Sequence, residues 1–129
     1  MQKGNYKMLL VDDDQFLLNM YSLKFGKNGY DVTAISNPQE ALTKLREGLS
    51  PDVIVLDIIM PGIDGLQVLQ TIRDEKLASN AAVVMLTNQG DGIERAKKLG
   101  VAGYIVKATT IPSEVVKEVS DIMAHQQSK

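Results

Sequence analysis

Five short runs of β-forming apolar residues recur along the chain, at Met8–Val11, Val32–Ile35, Val53–Leu56, Val83–Leu86 and Tyr104–Val106. Each is followed by a segment whose apolar residues return at helical spacing. Strict alternation of strand and helix predicts an α/β fold with a parallel sheet, because parallel neighbours need a crossover connection and a helix is the usual one. The runs are nearly continuous rather than alternating in polarity, which predicts helices on both faces of the sheet. At 129 residues the chain has the length of one ordinary domain, and we expect a single domain over residues 1–129.

The helices carry their own start and stop signals. Leu17, Leu18, Tyr21 and Phe25 share one face of the first helix, with Asp14 as a natural N-cap and Asn28-Gly29 as a stop. Asn37-Pro38-Gln39-Glu40 supplies a cap, a proline at the first helical position and a glutamate three residues after the cap, ahead of Leu42, Leu45 and Leu49. A third helix should begin near Asp64-Gly65, turn Leu66, Leu69 and Ile72 inward, and fade through Asp74-Glu75-Lys76. The fourth is weakly apolar, with Ile93, Ala96 and Leu99 against exposed Arg95, Lys97 and Lys98. The fifth starts around Pro112 and presents Val115, Val116, Val119, Ile122 and Met123.

Composition narrows the chemistry. No cysteine is present, so disulfides, thiolate metal sites and cysteine nucleophiles are excluded, and the lone His125 in the polar tail gives no histidine cluster. Carboxylates must carry any metal. A net charge of −2 offers no support for wholesale nucleic-acid or polybasic membrane binding. The first apolar run is interrupted at once by Asp12, Asp13 and Asp14, and nothing approaches the ~20 apolar residues of a membrane span, so a cytoplasmic protein is expected.

Ligands of open parallel sheets bind outside the carboxyl ends of the strands. Here the runs end in Asp12-Asp13-Asp14, Asp57, Thr87 and Lys107. Clustered carboxylates repel, and a hard divalent cation relieves that best. Mg2+ takes oxygen ligands and commonly uses one or two carboxylates beside a phosphate oxygen. Asp13 and Asp57 could hold it directly, Asp12 through water, with a backbone carbonyl after Asp57, at Ile59, completing the set. Asp57, where an apolar strand opens into Met60-Pro61-Gly62, is a plausible nucleophile toward phosphorus, giving an acyl phosphate. The Thr87 hydroxyl and Lys107 ammonium suit the equatorial oxygens of such a group.

Four segments, LLVDDD, VIVLDIIMPGIDG, VVMLT and GYIVK, fall in this order at the strand ends, and together the chain resembles a response-regulator receiver domain over essentially its whole length. The likeness is to single-domain, chemotaxis-regulator-like receivers. The resemblance implies a flavodoxin-like doubly wound sheet in the order 2-1-3-4-5. It implies Asp57 as phosphoacceptor, Asp12 and Asp13 as the acidic pair holding Mg2+, Thr87 as switch hydroxyl, Lys107 as phosphate partner and Tyr104 as switch aromatic. The implied donor is a phosphohistidine on a sensor histidine kinase or phosphotransfer protein. The implied output is a changed surface of helix four, strand five and helix five, read by a downstream protein and not by direct contact with nucleic acid or membrane. The domain would act as a monomer or a phosphorylation-linked dimer, a signalling domain rather than an enzyme.

Two positions depart from the family pattern. Ala108 stands where a proline in a cis peptide usually follows the lysine. A cis bond without proline costs about 2.5–4 kcal/mol, so Lys107-Ala108 is expected either trans, with Lys107 re-aimed, or cis and strained. Asn88 replaces a small residue beside Thr87. Ile59 and Gln89 occupy the positions that tune hydrolysis, and apolar Ile59 should hinder an attacking water and prolong the phosphoryl group. A degenerate receiver serving as a constitutive interaction module is the alternative. A flavodoxin-like electron carrier would need a Ser/Thr/Gly-rich loop after strand one, and an aspartyl-phosphate hydrolase a second aspartate at position 59. Neither is present, nor is a GxxxxGK[ST] or GxGxxG loop.

Overall fold

The computed structural model describes residues 6–58, 64–87, 92–106 and 111–127. Strands β1 (Lys7–Val11), β2 (Asp31–Ile35), β3 (Val53–Asp57), β4 (Ala82–Thr87) and β5 (Gly103–Val106) alternate with helices α1 (Gln15–Lys27), α2 (Pro38–Arg46), α3 (Gly65–Asp74), α4 (Ile93–Lys98) and α5 (Pro112–Gln127). The sheet is parallel throughout and its order is β2-β1-β3-β4-β5. This is the doubly wound arrangement expected from the sequence, with every strand within a residue of its predicted bounds.

Alternation along the strands divides the core in two. Leu9, Val11, Ile54, Leu56, Val83 and Met85 face a layer supplied by α2 and α3, including Leu42, Leu45, Leu69 and Ile72. Met8, Leu10, Val53, Val55, Val84 and Leu86 face the other way, against Leu18, Tyr21 and Phe25 of α1 and Val115, Val119 and Met123 of α5. Burying each such side chain stabilises the fold by roughly 1.5–3 kcal/mol relative to exposure. Continuous burial holds for β3 and most of β1 and β4, but not for β2, where Val32 and Thr33 are half-buried and Ala34 is exposed. Edge position explains the difference, since β2 has a strand neighbour on one side only.

The caps follow the sequence signals. Asp14 accepts hydrogen bonds from the amides of Phe16 and Leu17, and Asn37 from those of Gln39 and Glu40. A reciprocal capping box occurs at α3, where Asp64 accepts from the Gln67 amide at 2.9 Å and the Gln67 side chain accepts from the Asp64 amide at 3.0 Å. The weakest predicted helix is indeed short: α4 buries only Ala96 and starts at Gly92, with φ +80° and no side-chain cap. Its far end is fixed by Arg73 of α3, whose guanidinium donates to the carbonyls of Leu99 (2.8 Å) and Gly100 (3.0 Å). Leu17, Leu49 and Ile122, predicted inward, are half-buried at the core margin. No described helix is long and apolar enough to cross a membrane.

Candidate functional site

The register of the sheet brings the acidic residues together. Val11 of β1 lies beside Leu56 of β3, so the next residue of each strand, Asp12 and Asp57, emerges at the same carboxyl edge. Both are buried, whereas Asp13 is exposed. One carboxylate oxygen from each of the three lies within 4.8 Å of the others. Asp12 also accepts a hydrogen bond from the Asp14 amide at 3.0 Å, which turns the chain into α1. The aspartate triplet thus divides as expected, with Asp14 serving the helix and Asp12 and Asp13 facing the cluster.

These residues fit a hard cation. Around octahedral Mg2+, with oxygens about 2.1 Å from the ion, neighbouring ligands lie about 3 Å apart and opposite ones about 4 Å apart, which the three carboxylates can span. Two buried carboxylates side by side also require positive compensation. The carbonyl of Ile59, predicted as a further ligand, lies outside the described residues, as do Asn88, Gln89, Lys107 and Ala108.

Asp57 is held by backbone on either side. The Ile58 amide donates to the Leu86 carbonyl at 2.9 Å, carrying the β3–β4 ladder one residue past Asp57. The Gly65 amide then donates to the Ile58 carbonyl at 2.6 Å, locking the start of α3 under the end of β3. A Cβ on Gly65 would collide with the Asp57 carbonyl oxygen and approach Ile58 Cα at 2.8 Å. The sequence marked Asp64-Gly65 only as the start of the third helix. Nothing local signals that this glycine is required by close backbone approach to a strand some seven residues earlier.

Strand alternation separates Asp57 from Thr87. Asp57 follows the pleat of Val53 and Val55 toward the α1/α5 layer, while Thr87 follows Val83 and Met85 toward the α3/α4 layer. Thr87 is fully buried and pairs in register with Val106. Tyr104, two residues before Val106, lies beside Met85 and so shares that side of the sheet. Tyr104 is 39% exposed, with Lys97 Nζ of α4 5.5 Å from its ring centroid. This lysine, read from the sequence as part of a solvated face, lies over the partly exposed aromatic ring.

A doubly wound parallel sheet whose central strand ends present three converging carboxylates defines a class of α/β domain with an acidic pocket that fits a divalent cation. The chain belongs to the response regulator receiver domain family, whose model matches residues 8–120. It is 34% identical over 121 residues to the alkaline phosphatase synthesis transcriptional regulatory protein PhoP of Bacillus subtilis, covering 92% of this chain and 49% of that protein. It is 35% identical to the DNA-binding response regulator MtrA of Mycobacterium tuberculosis over 115 residues, 88% of this chain and 48% of the relative. The chain therefore spans about half the length of these curated relatives. Among solved structures, the chemotaxis response regulator CheY4 of Vibrio cholerae matches with a TM-score of 0.80 at 26% identity, over 92% of this chain and 99% of that one. The response regulator TrrA of Thermotoga maritima, solved in complex with Mg2+ and BeF, matches with a TM-score of 0.76 at 29% identity, over 91% and 98%.

Proposed function

We propose that the chain is a phosphorylation-dependent switch in which Asp57 accepts a phosphoryl group from a phosphohistidine on a sensor histidine kinase or phosphotransfer protein. The observation that carries this reading is the meeting of Asp12, Asp13 and Asp57 at the ends of β1 and β3. In the transfer, an Asp57 carboxylate oxygen forms a bond to phosphorus as the phosphorus–nitrogen bond breaks and the imidazole leaves. Mg2+, when bound, neutralises charge on the transferring oxygens. Asp12 and Asp13 hold it and orient Asp57, and the backbone bonds at Ile58 and Gly65 keep the acceptor strand in place. Thr87 and Lys107 donate to the phosphoryl oxygens, and the domain's own site performs the transfer without a separate catalyst. Residues 1–129 act as one receiver unit, in the cytoplasm, where such donors reside.

The switch then runs through α4. A dianion at Asp57 draws the Thr87 hydroxyl toward it, opening space on the α4 side into which the Tyr104 ring turns. That turn gives up the contact with Lys97, a cost of about 0.5–1 kcal/mol for an exposed cation–π pair. A downstream protein would read the altered face of α4, β5 and α5. The test is an amide NMR spectrum recorded with and without Mg2+ and beryllofluoride. Shifts are expected around Asp57 and also at Tyr104, Lys97 and the rest of α4. Shifts confined to the ends of β1 and β3 would contradict the switch.

A further inference from the structure

At the opposite end of α1 from the acidic cluster lies a cavity of about 550 Å3 between α1 and α5. Its size falls within the roughly 300–1,000 Å3 of sites that hold small organic ligands. Two features of the sequence keep it open and set its charge. Val115, Val119 and Met123 of α5 go into the core, but the flank turned to α1 carries Ser113, Val116, Ser120 and Ala124, mostly too short to close the gap. Three lysines line it, Lys24 and Lys27 from the last turns of α1 and Lys117 from the middle of α5, and none of the lining residues is acidic.

The lysines at the end of α1 favourably oppose the helix dipole, and that role needs no cavity. It does not account for Lys117, which approaches from a different helix. Lys117 is shared with Asp121 in an exposed i,i+4 pair at 3.0 Å, worth little in water, while Lys24 and Lys27 have no ion-pair partner among the described residues. The inner wall adds the hydroxyls of Tyr30 and Ser120, 3.0 Å apart, which satisfy each other and retain capacity for a further hydrogen bond. Apolar surface comes from Val116, Ala124 and the Tyr6 ring, which lies 6.0 Å from that of Tyr30.

We propose that this groove binds a small aromatic phosphate of mononucleotide size, its ring against Val116 and Ala124 and its phosphate between Lys24, Lys27 and Lys117. Several ammonium groups around one opening suit an anion with several oxygens, and the apolar wall suits a ring better than a free ion. Because α5 also belongs to the proposed read-out face, occupancy would bear on the same helix from its other flank.

The test is an amide NMR titration of the whole chain with AMP, inorganic phosphate and adenosine, repeated on A124L, K24Q/K27Q and D57N. Ala124 is exposed, so leucine there fills the groove without entering the core. The expected result is saturable shifts at the groove with AMP, at least tenfold weaker in K24Q/K27Q, lost in A124L and unchanged in D57N. Retention in D57N separates this site from the phosphoacceptor. The proposal is overturned if AMP gives no saturable shift, if A124L keeps a native spectrum and binds AMP as before, or if phosphate alone binds as well as AMP. The last result would mean an attraction to surface charge without a pocket.

Discussion

Gly65 has no functional group, yet it limits where Asp57 can stand. Any side chain at this position must displace the Asp57 carbonyl or the start of α3. G65A should therefore destabilise the domain by about 1–3 kcal/mol, the usual cost of forcing atoms into a filled space, and should also slow phosphoryl uptake at Asp57. Urea unfolding and a phosphorylation time course would check the two effects, and native behaviour in both would mean that the close approach is not needed. Lys97 lies over the Tyr104 ring, and we expect the contact to favour the exposed position of that ring. K97M should shift the resting balance of Tyr104 toward the buried position about two- to fivefold, as expected from loss of a 0.5–1 kcal/mol contact. Tyrosine ring NMR would detect that shift. Residue type and strand-end position were enough to single out Asp12, Asp13 and Asp57, whose carboxylates the fold brings within 4.8 Å of one another, and Thr87 as the hydroxyl that ends β4. The sequence could not show the contacts of Gly65 or Lys97, which arise from backbone approach and from packing between elements.

The elements were legible in proportion to their local signals. Helix α2, marked by Asn37 and Pro38, begins where its cap and proline place it, and α1 begins after Asp14. Helix α4 is harder to read because its stability comes from outside. It has no side-chain cap at Gly92, buries only Ala96, and is tied at its other end by Arg73. With its carboxyl end tied by Arg73 and its amino end without a side-chain cap, α4 is expected to pivot on its carboxyl end. R73A should release that pivot, with amide hydrogen exchange in α4 rising several-fold while β1 and β3 stay protected. Equal protection of α4 in R73A and the parent would show that the guanidinium does not anchor the helix. No periodicity could have revealed this contact, which joins residues 26 positions apart.

At the scale of the whole molecule, the parallel order β2-β1-β3-β4-β5 places the apolar strands at the centre and the half-exposed β2 at the rim. Five apolar runs were enough to predict the layers. The uneven burial of those runs was not visible, because edge or centre is decided by strand order rather than by composition. One global property follows from the far end of the α1 layer, where burial raises the Tyr30 phenol above its ordinary range and the Ser120 hydrogen bond offsets part of the rise. Above about pH 10 the unfolded chain loses this proton while the folded chain keeps it, so stability is fully present below that pH and declines above it. Y30F should remove that part of the alkaline decline in urea titrations, and an unchanged decline would assign it elsewhere. The central claim is that Asp57 is a metal-dependent phosphoacceptor, and intact-mass spectrometry after incubation with acetyl phosphate and Mg2+ tests it most directly. The account predicts one added phosphoryl group, absent in D57N and absent without Mg2+. An adduct that persists in D57N, or no adduct with either acetyl phosphate or phosphorylated kinases, would contradict it.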